Sequence, residues 1–331
     1  VVLAYEQLLP EQDGSLRYTY SLPTLEQDSA ARIKNFRFEL EALGLENVKH
    51  TNYTAKISSR DGRIVSSYKA GAFIPAGPIH VMATLPRETD HAALFFDRHG
   101  EKTHFMIDHV PALATSIARR PVKNLVLGID TSAGLGQRIV SKNIAIANAI
   151  LKKLPPSTAV KIVTGDYRAR VCDSDPTPEA ARACLEGITA GGGTNLSAMI
   201  EALDQQARAF GQDTAVVLMS DGAASLGEMD GDLLATHVER AFGQASGAHF
   251  HTVAVGLAPN EDGLLQFARS GRGQTLRVTP VEDPEESASR ILDQITKALL
   301  EEVRVEVVDG KITHLMPSKE ARLAAGEPFA I

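Results

Sequence analysis

Tryptophan is absent from the 331 residues, cysteine occurs only twice, and aromatic residues make up 5% of the chain. Two cysteines can form a single pair at most, which excludes a fold held together by several disulfides. No apolar run approaches the roughly 18 residues that a membrane-spanning helix needs. The 44% of hydrophobic residues is nevertheless enough to fill real cores, and this length suits two or three domains.

Dense runs of lysine and arginine are also missing. The formal net charge is -7, and the isoelectric point is near 5.8. Both values argue against nucleic acid or an anionic membrane as the main partner. The chain opens Val1-Val2-Leu3 without an initiating methionine or a signal-peptide pattern, so we expect it to start inside a longer protein.

The central feature of the sequence is LVLGIDTSAG, residues 125–134, in which an apolar run reaches Asp130 and then breaks into small polar residues. This pattern predicts a buried parallel strand that ends in a turn. A helix should follow up to Pro155, because the next apolar residues recur at helical spacing. They are Leu135, Ile139, Val140, Ile144, Ala147, Leu151 and Leu154. Asp130 and Ser132 therefore belong at the carboxyl end of a strand, where open α/β sheets bind ligands.

Two later stretches carry residues of the same kind. GGGTNLSAM, residues 191–199, presents Thr194 in a glycine-rich turn at the start of a helix. TAVVLMSDGAAS, residues 214–225, ends a second buried strand at Asp221. Together the three stretches resemble the three loops of the metal-ion-dependent adhesion site in von Willebrand factor type A domains. Four of the five residues of that pattern are kept, and the fifth, a second serine in the first loop, is replaced by Gly134.

The resemblance implies one Mg²⁺ or Mn²⁺ ion held by Asp130, Ser132, Thr194 and Asp221. Magnesium prefers about six oxygen ligands near 2.1 Å and retains several waters, so hydroxyls and water can form its shell. By resemblance, Ser132 and Thr194 bind directly, while the two aspartates act mainly through water. A cation with few carboxylate ligands stays electrophilic and can accept a carboxylate from a protein partner. Gly134 offers no oxygen, so this degenerate site should bind metal more weakly.

Other interpretations of the same residues remain open. Ser, Thr and Asp cap helices and turns without any metal, and such capping alone is the alternative role of Asp130, Ser132 and Asp221. The glycines of residues 191–193 lack the lysine of a phosphate-binding P-loop. His249 and His251 should share one face of a strand, and we expect a pair packed near the surface rather than a metal site. No Gly-x-Ser-x-Gly elbow marks a hydrolase.

The expected architecture is a doubly wound, mostly parallel α/β sheet inserted between segments of an antiparallel β-sandwich. Residues 1–117 alternate with period two, which predicts short strands at residues 16–20, 36–40, 53–57, 79–85, 93–96 and 103–107, the last two joined by a turn at residues 97–100. They resemble, through order and the phrase Tyr20-Ser21-Leu22-Pro23, the later part of the VIT domain in inter-alpha-trypsin inhibitor heavy chains and bacterial relatives. Residues 118–301 alternate strand and helix, as type A domains do, and they end in a helix whose apolar stripe runs from Ala288 to Leu299. Residues 302–331 should return to strands, with Val303, Val305 and Val307 rejoining the sandwich.

Three functions are consistent with these features. The resemblance favours a non-enzymatic, metal-dependent protein-binding or adhesion module outside the cytoplasm. A second interpretation is an intracellular type A domain that scaffolds an ATPase-linked assembly, and the third is a hydrolase. Cys172 and Cys184 are placed where they could pair if the protein works outside the cytoplasm, or remain two reduced core residues.

Overall fold

The computed structural model describes residues 9, 11–12, 15–20, 22, 32–50, 53–60, 62–75, 78–84, 91–99, 102–110, 121–243, 246–280, 282–297, 299–303, 321–324 and 329–330. Its contacts divide the chain into two units: the first comprises residues 1–119 and 297–331, and the second comprises residues 120–296. No helix within these described ranges combines the length and the apolar character needed to cross a membrane.

The first unit is built from antiparallel strands. Those that precede residue 120 are β1 (Glu11–Gln12), β2 (Ser15–Tyr20), β3 (Ile33–Leu43), β4 (Glu46–His50), β5 (Lys56–Arg60), β6 (Arg63–Phe73), β7 (Ile79–Thr84), β8 (His91–His99) and β9 (Lys102–Val110). Two sheets, ordered β1-β2-β7-β4 and β3-β6-β5, share one apolar cluster. Phe36 of β3 stacks on Phe73 of β6 at 4.1 Å between ring centroids, and Val81 of β7 joins them. The expected antiparallel sandwich is therefore present.

The second unit alternates strands and helices. After β10 (Asn124–Asp130) and a 3-10 helix (Ala133–Leu135) come α1 (Gly136–Lys153), β11 (Ala159–Gly165), β12 (Ala169–Val171), α2 (Pro178–Ala183), α3 (Leu196–Phe210), β13 (Thr214–Ser220), α4 (Gly231–Phe242), β14 (Ala248–Ala254), α5 (Glu261–Ser270), β15 (Arg272–Arg277) and α6 (Pro284–Thr296). The sheet order is β12-β11-β10-β13-β14-β15. All neighbouring strands in this sheet run parallel to each other, except that β12 runs antiparallel to β11.

Successive residues of the central strand β10 face opposite layers of helices. Leu125, Leu127 and Ile129 pack into the cluster that contains α1, α2 and α6. Val126 lies in the other cluster, with α3, α4 and α5. Side chains of a strand alternate between the two faces, so β10 is buried on both sides. The mostly parallel, doubly wound sheet that the sequence predicts is confirmed.

Several predicted element boundaries are wrong. Leu299 was expected in the last helix, but α6 ends at Thr296 and Leu299 begins β16 (Leu299–Val303), which pairs with β17 (Ala321–Ala324). Val303 therefore pairs with Ala321, not with a strand of the first hundred residues, while Val305 and Val307 lie outside the described residues. The last strand, β18 (Phe329–Ala330), does pair with β9. The predicted turn residues Asp97, Arg98 and His99 belong to β8.

The histidine pair is also more deeply placed than expected. His249 and His251 share one face of β14, with ring centroids 6.5 Å apart. His251, however, is only 4% exposed, and its Nδ1 accepts a hydrogen bond from the amide of Gln274 at 3.2 Å. A strand in the interior of the sheet buries its residues on both faces, so the surface location predicted for this pair is wrong for His251.

Candidate functional site

The four predicted site residues lie at the carboxyl edge of the six-stranded sheet. Asp130 is the last residue of β10, and Ser132 follows it two positions later. Asp221 comes directly after β13, the strand beside β10, and Thr194 lies just before α3. Strand order reverses between β10 and β13, because β11 and β14 lie on opposite sides of that pair. Such a switch point is where open α/β sheets form a crevice.

Backbone hydrogen bonds join the first two loops. The amide of Gly191 donates to the carbonyl of Thr131 at 2.9 Å, and the amide of Ala133 donates to the carbonyl of Gly192 at 3.0 Å. The third loop is joined to the second in the same way. Ser225 and Leu226 donate their amides to the carbonyl of Thr194 at 2.9 and 3.0 Å. The loop that carries Thr194 is therefore fixed between the other two.

Asp130 is fully buried, and both of its carboxylate oxygens accept hydrogen bonds. Oδ1 accepts the amide of Ser132 at 2.9 Å, and Oδ2 accepts the hydroxyl of Ser220 at 2.7 Å. The Ser220 hydroxyl in turn accepts the amide of Gly222 at 3.0 Å. Asp130 is thus held in one orientation by groups from two adjacent strands.

Ser220 and Ser225 were missed as contributors to the site by the sequence analysis. Ser225 supports Thr194, because its Oγ accepts the Thr194 amide at 2.8 Å. The sequence does contain a signal for Ser220, which is a polar residue at the buried end of an otherwise apolar strand. Ser220 has no exposed surface, and its hydroxyl is already engaged with Asp130.

Asp221 is half-buried. Its Oδ1 accepts the amide of Ala223 at 3.0 Å, and its carbonyl accepts the amide of Asn260 at 2.7 Å. Both Asp130 and Asp221 accept the amide two residues later, which is the turn-forming role that aspartate has without any metal. The capping interpretation therefore describes one contact of each aspartate correctly.

Ser132 does not fit the capping interpretation. It precedes the 3-10 helix, yet its side chain makes no capping hydrogen bond. The residue is 0% exposed, and Oγ has no hydrogen-bond partner of normal geometry among the described residues. A buried hydroxyl without a partner costs about 1–3 kcal/mol, so such groups are rare unless a ligand or water completes them.

The electrostatics of this edge disfavour two unneutralised carboxylates. Burial raises the pKa of Asp130 above its usual value, the nearby charge of Asp221 raises it further, and hydrogen bonds from Ser220 and Ser132 oppose the rise. Burial also raises the pKa of Asp221, against the hydrogen bond from the Ala223 amide. A bound cation would favour the ionised form of both groups.

The available ligands determine which metals suit the site. Within the part of the chain that the structure describes, no three His, Cys, Asp or Glu side chains cluster as metal ligands. A site at this edge would have to combine the two carboxylates with the hydroxyls of Ser132 and Thr194. An all-oxygen set of this kind suits a hard cation that keeps several waters, such as Mg²⁺.

Gly134 lies in the 3-10 helix and is exposed. A Cβ atom added there would have no other atom within 4 Å, and the backbone is outside the left-handed region. The position that lacks the expected hydroxyl is therefore open to a side chain.

Neither a protein-family model nor a curated protein matches this chain. Solved structures with a similar arrangement include von Willebrand factor type A domain proteins. One from Catenulispora acidiphila is 15% identical, with a TM-score of 0.46, over 58% of this chain and 45% of that chain. The vWF domain of the type V pili tip protein Mfa5 from Porphyromonas gingivalis is 13% identical, with a TM-score of 0.43, over 58% of this chain and 100% of that chain.

A third similar structure is the ArnB paralog VWA2 from Sulfolobus acidocaldarius. It is 14% identical, with a TM-score of 0.42, over 73% of this chain and 65% of that chain. At such identities the similarity is one of fold.

Proposed function

We propose that the carboxyl edge of the sheet binds one divalent cation, Mg²⁺ or Mn²⁺, and that the cation receives a carboxylate from a protein partner. The observation that carries this proposal is the Ser132 hydroxyl, which is fully buried and makes no hydrogen bond of normal geometry to any described residue. Asp130, Thr194 and Asp221 complete the set of oxygen ligands. The function is protein binding or adhesion and not catalysis.

The placement of the ligands supports a metal ion that has few carboxylate oxygens in direct contact. Asp130 already accepts two hydrogen bonds, so it is oriented to hold metal-bound water through its remaining lone pairs. Ser132 and Thr194 would supply neutral oxygens. With little negative charge in direct contact, the cation keeps a strong attraction for an incoming carboxylate.

The surroundings of Ser220 argue against a hydrolase. A nucleophilic serine needs a base that accepts its proton and an approach for the substrate. Ser220 is buried and donates to Asp130, whose other oxygen is held by a backbone amide. These contacts are those of a residue that positions Asp130.

A location outside the cytoplasm is part of the proposal. Cys172, next to the end of β12, and Cys184, next to the end of α2, form a disulfide with 6.0 Å between their Cα atoms. Structural disulfides persist mainly in oxidising compartments. This pair therefore favours an extracytoplasmic module over an intracellular scaffold.

Calorimetric titration with Mg²⁺ and Mn²⁺ tests the metal site. We expect the wild-type chain to bind one ion and Asp221→Ala to lose measurable binding, because a cation needs the nearby negative charge. Asp204→Ala is the matched control, since Asp204 lies on α3 and pairs with Arg208 on the same helix. Absence of binding heat from a folded wild-type chain would contradict the proposal.

A further inference from the structure

Three apolar side chains are exposed at the same edge of the sheet as the proposed metal site. Tyr167 is 49% exposed, Leu226 42% and Leu257 47%. Each follows the end of a different strand, β11, β13 or β14. We call these three residues the apolar rim. Exposed apolar residues that surround a polar site are typical of interaction surfaces.

The glycines before Thr194 bring two of these side chains close to the site. A Cβ atom on Gly192 would lie 2.8 Å from Tyr167 Cδ1, and one on Gly193 would lie 2.8 Å from Leu226 Cδ1. The absence of a side chain at both glycines leaves room for these two contacts. Tyr167 and Leu226 therefore lie directly against the turn that presents Thr194.

Leu257 occupies the side of the site that carries Asp221. A Cβ atom on Gly256 would be 3.7 Å from Asp221 Cβ, which places the Gly256–Leu257 segment beside that aspartate. The buried guanidinium of Arg277 holds this segment, because its Nη2 donates to the carbonyl of Gly256 at 3.0 Å. The position of Leu257 is therefore fixed by Arg277, the last residue of β15.

The charge beside Tyr167 is positive. Arg168 and Arg170 place their guanidinium carbons 5.3 and 5.5 Å from the centroid of the Tyr167 ring. Arg170 also pairs with Asp166 at 3.0 Å, whereas exposed Arg168 makes no ion pair with any residue of the described ranges. This end of the apolar rim is complementary to an acidic ligand.

The acidic residues beyond Leu226 are used by the protein itself. Glu228 accepts the amide of Asp230 at 2.9 Å. Asp230 caps α4 by accepting the amides of Asp232 and Leu233 at 2.9 and 3.1 Å. Their charges are directed to the backbone at the start of α4.

We propose that the apolar rim binds an extended protein segment in which an aspartate or glutamate lies next to an apolar residue. Its carboxylate would reach the cation, its apolar side chain would lie between Tyr167 and Leu226, and Arg168 would attract the acidic segment. This inference rests on the proposed metal site and adds the chemistry of the partner.

Selection from a library of random displayed peptides tests the inference. The immobilised full chain is presented to the library in Mn²⁺ and, in parallel, in EDTA. We expect peptides retained only in Mn²⁺ to carry an acidic residue beside a leucine, isoleucine, valine or aromatic residue. Retained peptides that lack either residue type would overturn the inference, and so would a selection without enrichment from a chain that binds Mn²⁺.

Variants then measure the contribution of the rim with one selected synthetic peptide. Leu226→Ser should weaken its binding about tenfold, because a leucine contact is removed. Leu265→Ser is the control, since Leu265 is exposed to 37% on α5. Arg168→Glu should weaken binding more than Arg269→Glu, a charge reversal of an exposed arginine on the same helix as Leu265.

Metal titration of the same samples separates the two proposals. If wild type and Leu226→Ser bind Mn²⁺ equally while only the variant loses peptide affinity, the apolar rim is supported. If both bind Mn²⁺ and Leu226→Ser binds the peptide as well as Leu265→Ser does, the rim is overturned and the metal site stands. If the folded wild type binds no Mn²⁺, both proposals fail.

Discussion

Gly134 is the residue that most directly links sequence to metal affinity. It stands where the resembling pattern has a second serine, its backbone avoids the left-handed region, and a Cβ atom there would meet no other atom within 4 Å. Gly134→Ser should therefore increase Mg²⁺ affinity about tenfold, or roughly 1.4 kcal/mol, by adding one oxygen ligand. The measurement is calorimetric titration beside the wild type.

Gly134→Ala is the matched control for that change. Alanine adds the same Cβ and the same restriction of the unfolded chain, but it brings no oxygen. Equal affinities of the serine and alanine variants would show that position 134 does not reach the metal.

The location of the candidate site residues at the edge of the sheet could be predicted, but their contacts could not. Residue types and strand ends pointed to Asp130 and Asp221. The sequence does not reveal that Ser220 bonds Asp130, because that contact joins residues 90 positions apart across two adjacent strands. Nor does it reveal that the Ser132 hydroxyl is buried without a hydrogen bond of normal geometry to a described residue, since this depends on how three loops pack around it.

At the scale of elements, the sequence is a good predictor of strands that are buried on both faces. β10 and β13 are continuous apolar runs that end in polar turns, so their type and position could be predicted. β6 was missed, because Ser66, Ser67, Lys69 and Gly71 interrupt its apolar pattern. Ser66 is nevertheless fully buried and bonds His50 Nε2 at 2.8 Å. Pairing with distant strands, and not local pattern, decides such a segment.

His251 makes the stability of β14 depend on pH. Burial first, and the neighbouring His249 second, lower the pKa of His251 from 6.5 to about 3. The folded chain thus binds this proton less readily than the unfolded chain, so stability is lost as pH falls below 6.5. When the pH falls from 7 to 4.5, protonation of this group in the unfolded chain should lower the free energy of unfolding by about 2 kcal/mol.

Urea unfolding across that pH range measures the effect. His251→Asn retains an acceptor for the Gln274 amide but does not titrate there, so its free energy of unfolding should fall less steeply towards acid. The same substitution at the partly exposed His237 of α4 is the control. Parallel pH profiles for wild type and His251→Asn would contradict this account.

At the scale of the whole molecule, the two ends of the chain belong to one unit. Residues 297–331 contact residues 1–119, and β18 pairs with β9 across more than two hundred intervening residues. Closing so long a loop is costly in entropy, and short strands gain stability only when neighbours pair with them. The β-rich unit thus combines segments from both sides of residues 120–296, which are themselves continuous in sequence. Assignment of the β-rich unit to a VIT-like domain stays a prediction.

Removal of residues 325–331 tests this dependence. The deletion takes away β18, whose Phe329 and Ala330 pair with His109 and Asp108 of β9. The outer edge of β9 would lose its partner there, while β8 still pairs along the other edge. We therefore expect faster amide exchange in residues 102–110, because unpaired strand edges exchange with water more readily.

Hydrogen exchange measured by mass spectrometry provides the internal control. Peptides that cover β10 and β13 should exchange as in the full chain, because all their strand partners lie within residues 120–296. Unchanged exchange in β9 would mean that β18 contributes nothing to the stability of that edge. Faster exchange in β9 and β10 together would mean instead that the two units unfold as one.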